Sequence, residues 1–285
     1  MAASNPSLIT VTPSGAALGA SVTGVDLSAP LSAETVAAIR TAWLEHLVLA
    51  FPGQPMSHED LERFTQYFGP FGHDPFIAAL PDHSHIIEVR RKADEKASVF
   101  AAAWHSDWSF QPVPPAGTVL HAKTIPPTGG DTLFCNGYLA FDRLNAETRE
   151  RVRSLKAVHS AALAYAPDGV YGKDDGADRS MTIIASEAAR DTHAHPIVRT
   201  HPETGRETLF VNPGYVRGVE GLSDLDAFVL LVELYETAHA EPLVYRHQWE
   251  PDMLVMWDNR CTQHMATGGY DGHARLLHRT TIAGP

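Results

Sequence analysis

The chain lacks the features that mark secreted and membrane-spanning proteins. Only two of its 285 residues are cysteines, Cys135 and Cys261, which is too few for a disulfide scaffold and indicates a reducing compartment. We expect both to be small buried apolar residues. Apolar runs of the roughly 18 residues that span a bilayer are missing, and the first residues do not resemble a secretory signal. We therefore expect a cytoplasmic protein with no membrane partner.

Clusters of lysine and arginine are missing as well. The chain has 22 Lys and Arg against 34 Asp and Glu, a formal net charge of -12. Without a basic patch there is no surface for a polyanion, so we expect no nucleic-acid partner. A small anionic ligand stays open, because a few arginines in one pocket can bind it whatever the overall charge.

Hydrophobic residues make up 44% and charged residues 20% of the sequence, which is typical of an ordinary globular protein. The length suits one elaborated β-rich domain as well as two small ones. Since neither an internal repeat nor a linker divides the chain, we interpret 1–285 as one domain. Within it, residues 166–190 are rich in Gly, Asp and Ala and predict a long loop, either a mobile lid or a plain insertion.

The periodicity of apolar residues predicts three helices and a larger number of short strands. The helices cover 33–47 with Ser32 as cap, 58–69 after Ser57 and Asp60, and 223–240, the last packed outside the sheets. The predicted strands, separated by Pro, Gly and Asp turns, are 48–53, 85–91, 117–123, 131–136, 155–161, 195–201, 207–212, 243–249, 253–258 and 275–282. This pattern predicts a mainly β sandwich or jelly roll with flanking helices, and a hairpin that turns at 202–205.

The segment WHSDWSF carries a candidate metal site. In an extended chain His105 and Asp107 point to the same face, about 7 Å apart at Cα. This spacing alone is weak evidence, and a third ligand is offered by His264 in the distant segment WDNRCTQH. Two imidazoles and one carboxylate leave open positions of the kind that non-haem Fe(II) uses. Zinc could use the same ligands, as in a hydrolase.

Other histidines fit the pattern less well. His58, His201 and His239 also have a carboxylate two positions downstream, but His58 lies in a predicted helix, His239 at a helix end and His201 at a hairpin turn. His278 alternates with Arg279 along a strand, so we expect it to pack away from the site.

The last predicted strand places two cations on one face. Arg275 and Arg279 are four residues apart, about 13 Å along a strand. 2-Oxoglutarate needs iron for its keto acid end and a fixed guanidinium, commonly assisted by a hydroxyl, for its distal carboxylate. Arg275 can supply the guanidinium, and Thr132, which begins a strand after a Gly-Gly turn, can supply the hydroxyl.

Taken in order, WHSDWSF, PPTGGDTLF, WDNRCTQH and RLLHRTT resemble the signature of the TauD/TfdA family of Fe(II)- and 2-oxoglutarate-dependent dioxygenases. The resemblance covers nearly the whole chain. It implies a double-stranded β-helix (a cupin-like jelly roll), Fe(II), 2-oxoglutarate and O₂, and often a homodimer or homotetramer. The residues that it implies are iron ligands His105, Asp107 and His264, 2-oxoglutarate contacts Thr132 and Arg275, and Trp257 close to the iron.

By the same resemblance, Arg279 faces a small anionic organic substrate, and His73 or Asp74 lies nearby. Taurine or another sulfonate is the expected substrate, with aryloxyalkanoates or alkyl sulfates as alternatives. Taurine dioxygenases have polar residues before the WH pair to hold the amine, whereas this chain has alanines at 101–103. The alternatives of a different class are a cupin-fold zinc hydrolase and a catalytically silent binding protein.

Overall fold

Strands outnumber helices in the computed structural model, which describes residues 9–173 and 178–285. The strands are β1 Thr10–Pro13, β2 Ala20–Thr23, β3 Val48–Phe51, β4 Ala79–Leu80, β5 His83–Arg91, β6 Gly117–Thr124, β7 Thr132–Asn136, β8 Lys156–Ser160, β9 Thr192–Pro196, β10 Val198–Thr200, β11 Glu207–Leu209, β12 Val216–Val219, β13 Val244–His247, β14 Leu254–Asp258, β15 Thr262–Ala266 and β16 Arg275–Ile282. The helices are α1 Ala33–His46, α2 His58–Gln66, α3 Gly137–Arg143, α4 Ala146–Arg153, α5 Ala162–Tyr165 and α6 Asp224–Ala238. No helix among the described residues is long and apolar enough to cross a membrane.

The predicted jelly roll is confirmed. One sheet has eight strands in the order β1-β2-β3-β14-β6-β16-β5-β4, and a second has the order β13-β7-β15. Side chains from both meet in one apolar cluster, in which Phe134 of β7 packs with Trp257 of β14 and Leu277 of β16. The sheet β12-β8-β9 and the hairpin β10-β11 complete the strands.

The predicted helices form where their caps indicate. The Ser32 side chain accepts from the Thr35 amide at the start of α1, and Ser57 and Asp60 form a reciprocal capping box at the start of α2. α2 ends at Gln66, three residues before the predicted end. α6 packs a buried face that includes Leu230 and Leu234 against the cluster around α3 and β12.

Several elements differ from the sequence prediction. The predicted strand 195–201 is divided at Ile197, which is buried, between β9 and β10 of different sheets. Helices α3 and α4 were not predicted, although Asn136 and Asn145 cap them through their side-chain oxygens. β15, which carries His264, was expected only as the chain after a turn. Cys135 and Cys261 are both free and buried, as expected.

The predicted loop 166–190 has ordered flanks. The buried Arg179 lies over the ring of Tyr171 at 4.8 Å, and Ile183 forms a β-bridge with Ile77. Residues 187–190 form a single 3-10 turn. The remaining four positions, 174–177, lie outside the described residues, so a lid role for 166–190 stays a prediction.

Two glycine turns join the strand that carries Thr132 to the strand that carries Arg275. Gly129 has φ +69° and approaches Gly269, which has φ +86°. The Gly130 amide donates to the Gly268 carbonyl at 3.0 Å. Only glycine adopts these backbone angles without strain, and a Cβ on Gly129 would lie 2.5 Å from the Gly269 carbonyl oxygen. The turns therefore fix the start of β7 relative to the segment that leads into β16, although the two strands belong to different sheets.

Gly129→Ala should lower the free energy of unfolding by about 3 kcal/mol, because backbone strain and a steric clash add together. Gly221→Ala is the matched control, since Gly221 has φ +77° but open space around it. Gly221→Ala should lower the free energy of unfolding by only about 1–2 kcal/mol. Urea unfolding followed by circular dichroism measures both, and equal losses would show that the close approach of the two turns contributes nothing.

Candidate functional site

His105, Asp107 and His264 meet at one end of the barrel. His105 and His264 form a β-bridge in which the amide of each donates to the carbonyl of the other, at 3.0 and 2.8 Å. Asp107 Oδ1 lies 3.5 Å from His105 Nε2 and 3.8 Å from His264 Nε2. All three side chains are buried, and one ligand atom of each lies within 4.8 Å of the others.

The hydrogen bonds and charges of this trio suit a divalent metal. His105 Nδ1 lies 2.8 Å from the Ala103 carbonyl and donates to it, which leaves the Nε2 lone pair directed at the centre of the trio. Burial lowers the pKa of His264 to about 3, so its ring is neutral. Burial alone would raise the pKa of Asp107, but His264, His105 and Arg279 together hold it well below its ordinary value. Two imidazoles and one carboxylate therefore fit Fe(II).

A chain of hydrogen bonds orients the Asp107 carboxylate from behind. Thr118 Oγ1 donates to Asp107 Oδ2 at 2.6 Å, and Asn259 Nδ2 donates to Thr118 Oγ1 at 2.9 Å. Trp257 Nε1 in turn donates to Asn259 Oδ1 at 2.9 Å. The Trp257 ring also lies 4.7 Å from the His264 ring, centroid to centroid, so this residue lies beside the trio as expected. Sequence reasoning missed Thr118 and Asn259, and only the position of Asn259 in WDNRCTQH could have indicated it.

Thr132 and Arg275 line a cavity that also touches His105, His264 and Trp257. The Thr132 hydroxyl accepts from Trp249 Nε1 at 3.0 Å, so its own hydrogen remains available to a ligand. Arg275 Nη2 donates to the Gly130 carbonyl at 3.2 Å, and the Arg275 guanidinium lies over the Trp249 ring at 5.9 Å. The two residues that sequence reasoning assigned to 2-oxoglutarate are thus brought together beside the trio.

Arg275 is a buried cation with no carboxylate partner in an ion pair among the described residues. Among residues 9–173 and 178–285, no carboxylate lies within ion-pair distance of its guanidinium, and its Nε has no hydrogen-bond partner. Burial lowers the pKa of Arg275 to about 10, which still leaves it charged at neutral pH. A buried unpaired charge is costly, so this position favours an anionic ligand.

A second cavity of about 410 Å³ adjoins the first and shares His105 and Arg279 with it. Its polar floor contains His105, Asp107 and Arg279. The walls are mainly apolar and aromatic and include Val99, Phe100, Ala101, Ala102, Ala103, Trp108, Leu163, Tyr165, Val170, Tyr171 and Tyr215. The three alanines that distinguish this chain from the taurine pattern therefore line the cavity.

Arg279 lies between two carboxylates at the floor of this cavity. Its Nη2 donates to Asp74 Oδ2 at 2.6 Å, and its Nη1 lies 3.6 Å from Asp107 Oδ1. The Arg279 guanidinium also lies over the Trp108 ring at 4.8 Å. Burial raises the pKa of Asp74 to about 6, because the loss of solvation outweighs the attraction of Arg279. Of the two candidates 73 and 74, Asp74 contacts Arg279, whereas His73 accepts from Gln111 Nε2 through its carbonyl.

Two further histidines, His278 and His201, lie outside the trio. His278 faces away from the trio, and its Nδ1 lies 3.1 Å from His58 Nε2. His201 forms a second close group with Asp258 and Cys261. Both oxygens of that Asp258 carboxylate accept from Arg260, at 2.8 and 2.6 Å, so this group is a closed ion-pair network and offers a metal no free carboxylate.

Known proteins resemble this chain along nearly its whole length. The (S)-phenoxypropionate/alpha-ketoglutarate-dioxygenase of Sphingobium herbicidovorans is 32% identical over 280 residues, 96% of this chain and 94% of the relative. An alkylsulfatase of Acinetobacter baylyi is 32% identical over 268 residues, which cover 94% of this chain and 82% of the alkylsulfatase. The crystal structure of a taurine dioxygenase from Burkholderia xenovorans superposes with a TM-score of 0.80 at 32% identity, over 97% of this chain and 90% of that one.

The protein is therefore an enzyme, a dioxygenase that depends on Fe(II), 2-oxoglutarate and O₂. Residues 10–281 match the family model described as taurine catabolism dioxygenase TauD, TfdA family, and the chain belongs to this family. Membership in this family argues against the two alternatives of a different class, a zinc hydrolase and a catalytically silent binding protein. It also confirms the resemblance seen in the four sequence motifs.

Thr118→Val should weaken Fe(II) binding by about 10–100-fold, because Asp107 loses the hydroxyl that orients its carboxylate. Thr208→Val, at a buried threonine of β11 remote from the trio, is the control and should leave the affinity unchanged. Competition with a chromophoric chelator under anaerobic conditions measures the dissociation constant. Equal Fe(II) affinities for the two variants would show that the Thr118 hydroxyl does not contribute to metal binding.

Proposed function

We propose that this dioxygenase hydroxylates a small organic acid with an apolar body, either an aryloxyalkanoate or a long-chain alkyl sulfate or sulfonate. The observation that carries the proposal is the cavity of about 410 Å³, whose aromatic and aliphatic walls end at Arg279, His105 and Asp107. An apolar body would gain stabilisation from burial in these walls. Arg279 would receive the acidic group.

The proposed roles follow the geometry of the two cavities. His105, Asp107 and His264 hold Fe(II). Arg275 and Thr132 bind the distal carboxylate of 2-oxoglutarate, since an unpaired buried guanidinium and a free hydroxyl hydrogen both face that cavity. Trp257 walls this cavity and supports His264.

Bound Fe(II) and 2-oxoglutarate supply the oxidation: O₂ is consumed, 2-oxoglutarate becomes succinate and CO₂, and one oxygen atom enters a substrate C–H bond. The residues of the chain do the positioning. The apolar walls exclude water, and Arg279 anchors one end of the substrate so that a carbon next to the anchor lies over the trio. Where that carbon bears an ether or sulfate ester oxygen, the hydroxylated product can break down and release this group.

Two observations favour aryl or alkyl acids over taurine. The three positions before the Trp104–His105 pair are alanines, so they provide no side-chain acceptor for an amine, which would lose hydrogen bonds on binding. Two relatives at 32% identity are named for phenoxypropionate and for alkyl sulfate. Sulfonates stay in the comparison because a taurine dioxygenase shares the fold at 32% identity.

A substrate panel tests the proposal directly. The Fe(II)-loaded enzyme with 2-oxoglutarate and O₂ is mixed separately with 2-phenoxypropionate, dodecyl sulfate, hexanesulfonate and taurine, and succinate is measured. We expect kcat/KM for the best apolar acid to exceed that for taurine by at least about 100-fold, on the order of burying a few methylene groups. A preference for taurine, or an absence of stimulation by every apolar acid, would overturn the proposed substrate class.

Arg275→Lys should raise the KM for 2-oxoglutarate by about 10–100-fold, because an ammonium cannot replace the two parallel hydrogen bonds of the guanidinium. Iron affinity should not change, since Arg275 does not contact the trio. Arg63→Lys on α2 is the control. An unchanged KM for 2-oxoglutarate in Arg275→Lys would assign the distal carboxylate to another residue.

A further inference from the structure

The two arginines of β16 that share the site have opposite electrostatic environments. Both are buried, and both line the cavity beside His264. Arg275 has no carboxylate within ion-pair distance among the described residues, whereas Arg279 has Asp74 at 2.6 Å and Asp107 at 3.6 Å. An incoming anion therefore meets an unpaired cation at Arg275 and a compensated cation at Arg279.

Asp74 is fixed in this position by the backbone as well as by Arg279. Its Oδ1 accepts from the amides of Phe76 and Ile77, at 3.2 and 3.1 Å, while its Oδ2 faces Arg279 Nη2. The Asp74 side chain is 9% exposed and that of Arg279 is 6% exposed. The pair is thus buried, and water screens its charges little.

The charges around Arg279 leave little net attraction for an anionic substrate. Bound Fe(II) and Asp107 would together carry a net charge of one positive unit. Bound 2-oxoglutarate and Arg275 would together carry one negative unit, so the net charge of these four groups would be zero. Arg279 and Asp74 also sum to zero when Asp74 is ionised. A substrate carboxylate at Arg279 would be attracted by the guanidinium and repelled by the Asp74 carboxylate next to it.

We propose that Asp74 is a specificity-determining residue that sets the charge selectivity of the substrate cavity. With Asp74 present, Arg279 offers Nη1 and Nε to an oxygen acceptor but little net charge to an anion. The cavity then accepts a carboxylic acid and its uncharged amide with comparable affinity. This inference rests on the proposed function, since it assumes that the polar end of the substrate lies at Arg279.

The test measures binding without turnover. The anaerobic complex with Fe(II) and 2-oxoglutarate is titrated by calorimetry with 2-phenoxypropionate and with 2-phenoxypropionamide, which differ in charge but little in shape. The wild-type dissociation constants should agree within about 5-fold. In Asp74→Asn and Asp74→Ala the acid should bind about 10-fold or more tighter, because a nearby negative charge is removed, while the amide changes little.

Glu203→Gln is the matched control, because Glu203 accepts from Arg260 at 2.7 Å outside both cavities. It should leave both dissociation constants unchanged. Thermal unfolding of each variant identifies loss of fold, and the Ala and Asn variants provide independent tests if one is unstable.

An unchanged ratio of the dissociation constants for the acid and the amide, or weaker acid binding in both variants, would overturn the inference and make Asp74 a positioning residue for Arg279. Failure of both compounds to bind the wild type and the folded variants would instead overturn the proposed aryloxy substrate class, on which the inference rests.

Discussion

The negative charge of Asp107, fully buried at the end of the barrel, constrains the surrounding structure. Its Oδ2 is satisfied by Thr118, and its Oδ1 faces His105, His264 and Arg279 within 3.8 Å. A buried carboxylate is costly unless cations and donors surround it. A divalent metal between Oδ1 and the two imidazoles would supply the missing charge. The arrangement of hydrogen-bond donors around Asp107 thus prepares one open side of the carboxylate for that metal.

The fold brings these groups together from distant parts of the chain. His105 and His264 are joined through their backbones by a two-hydrogen-bond bridge, so the relative position of the two rings depends on strand pairing and not on flexible side chains. The paired glycine turns at 129 and 269 join the strands of Thr132 and Arg275 in the same way. The trio of His105, Asp107 and His264 and the cavity beside Thr132 and Arg275 are therefore held by backbone contacts at one end of the two sheets.

Sequence reasoning predicted the residues that have a local signature. The HxD spacing, the WDNRCTQH segment and the period of two along β16 pointed to the residues that meet in the structure, and the caps at Ser32 and Ser57 located two helices. Contacts that depend on residues without a local signature could not be predicted. Nothing in the sequence around Thr118 indicates that its hydroxyl reaches Asp107, and Asp74 lies 205 positions before Arg279, with which it pairs. Helix α3 was missed because it packs against β11 and α6, which are distant in sequence.

The central claim is that His105, Asp107 and His264 hold iron next to a 2-oxoglutarate site built on Arg275. It is tested most directly by visible absorption of the anaerobic protein after addition of Fe(II) and then 2-oxoglutarate. The account predicts a weak charge-transfer band that develops only with both additions and is lost in His264→Ala. A band that persists in His264→Ala, or no band in the folded wild type, would contradict the account.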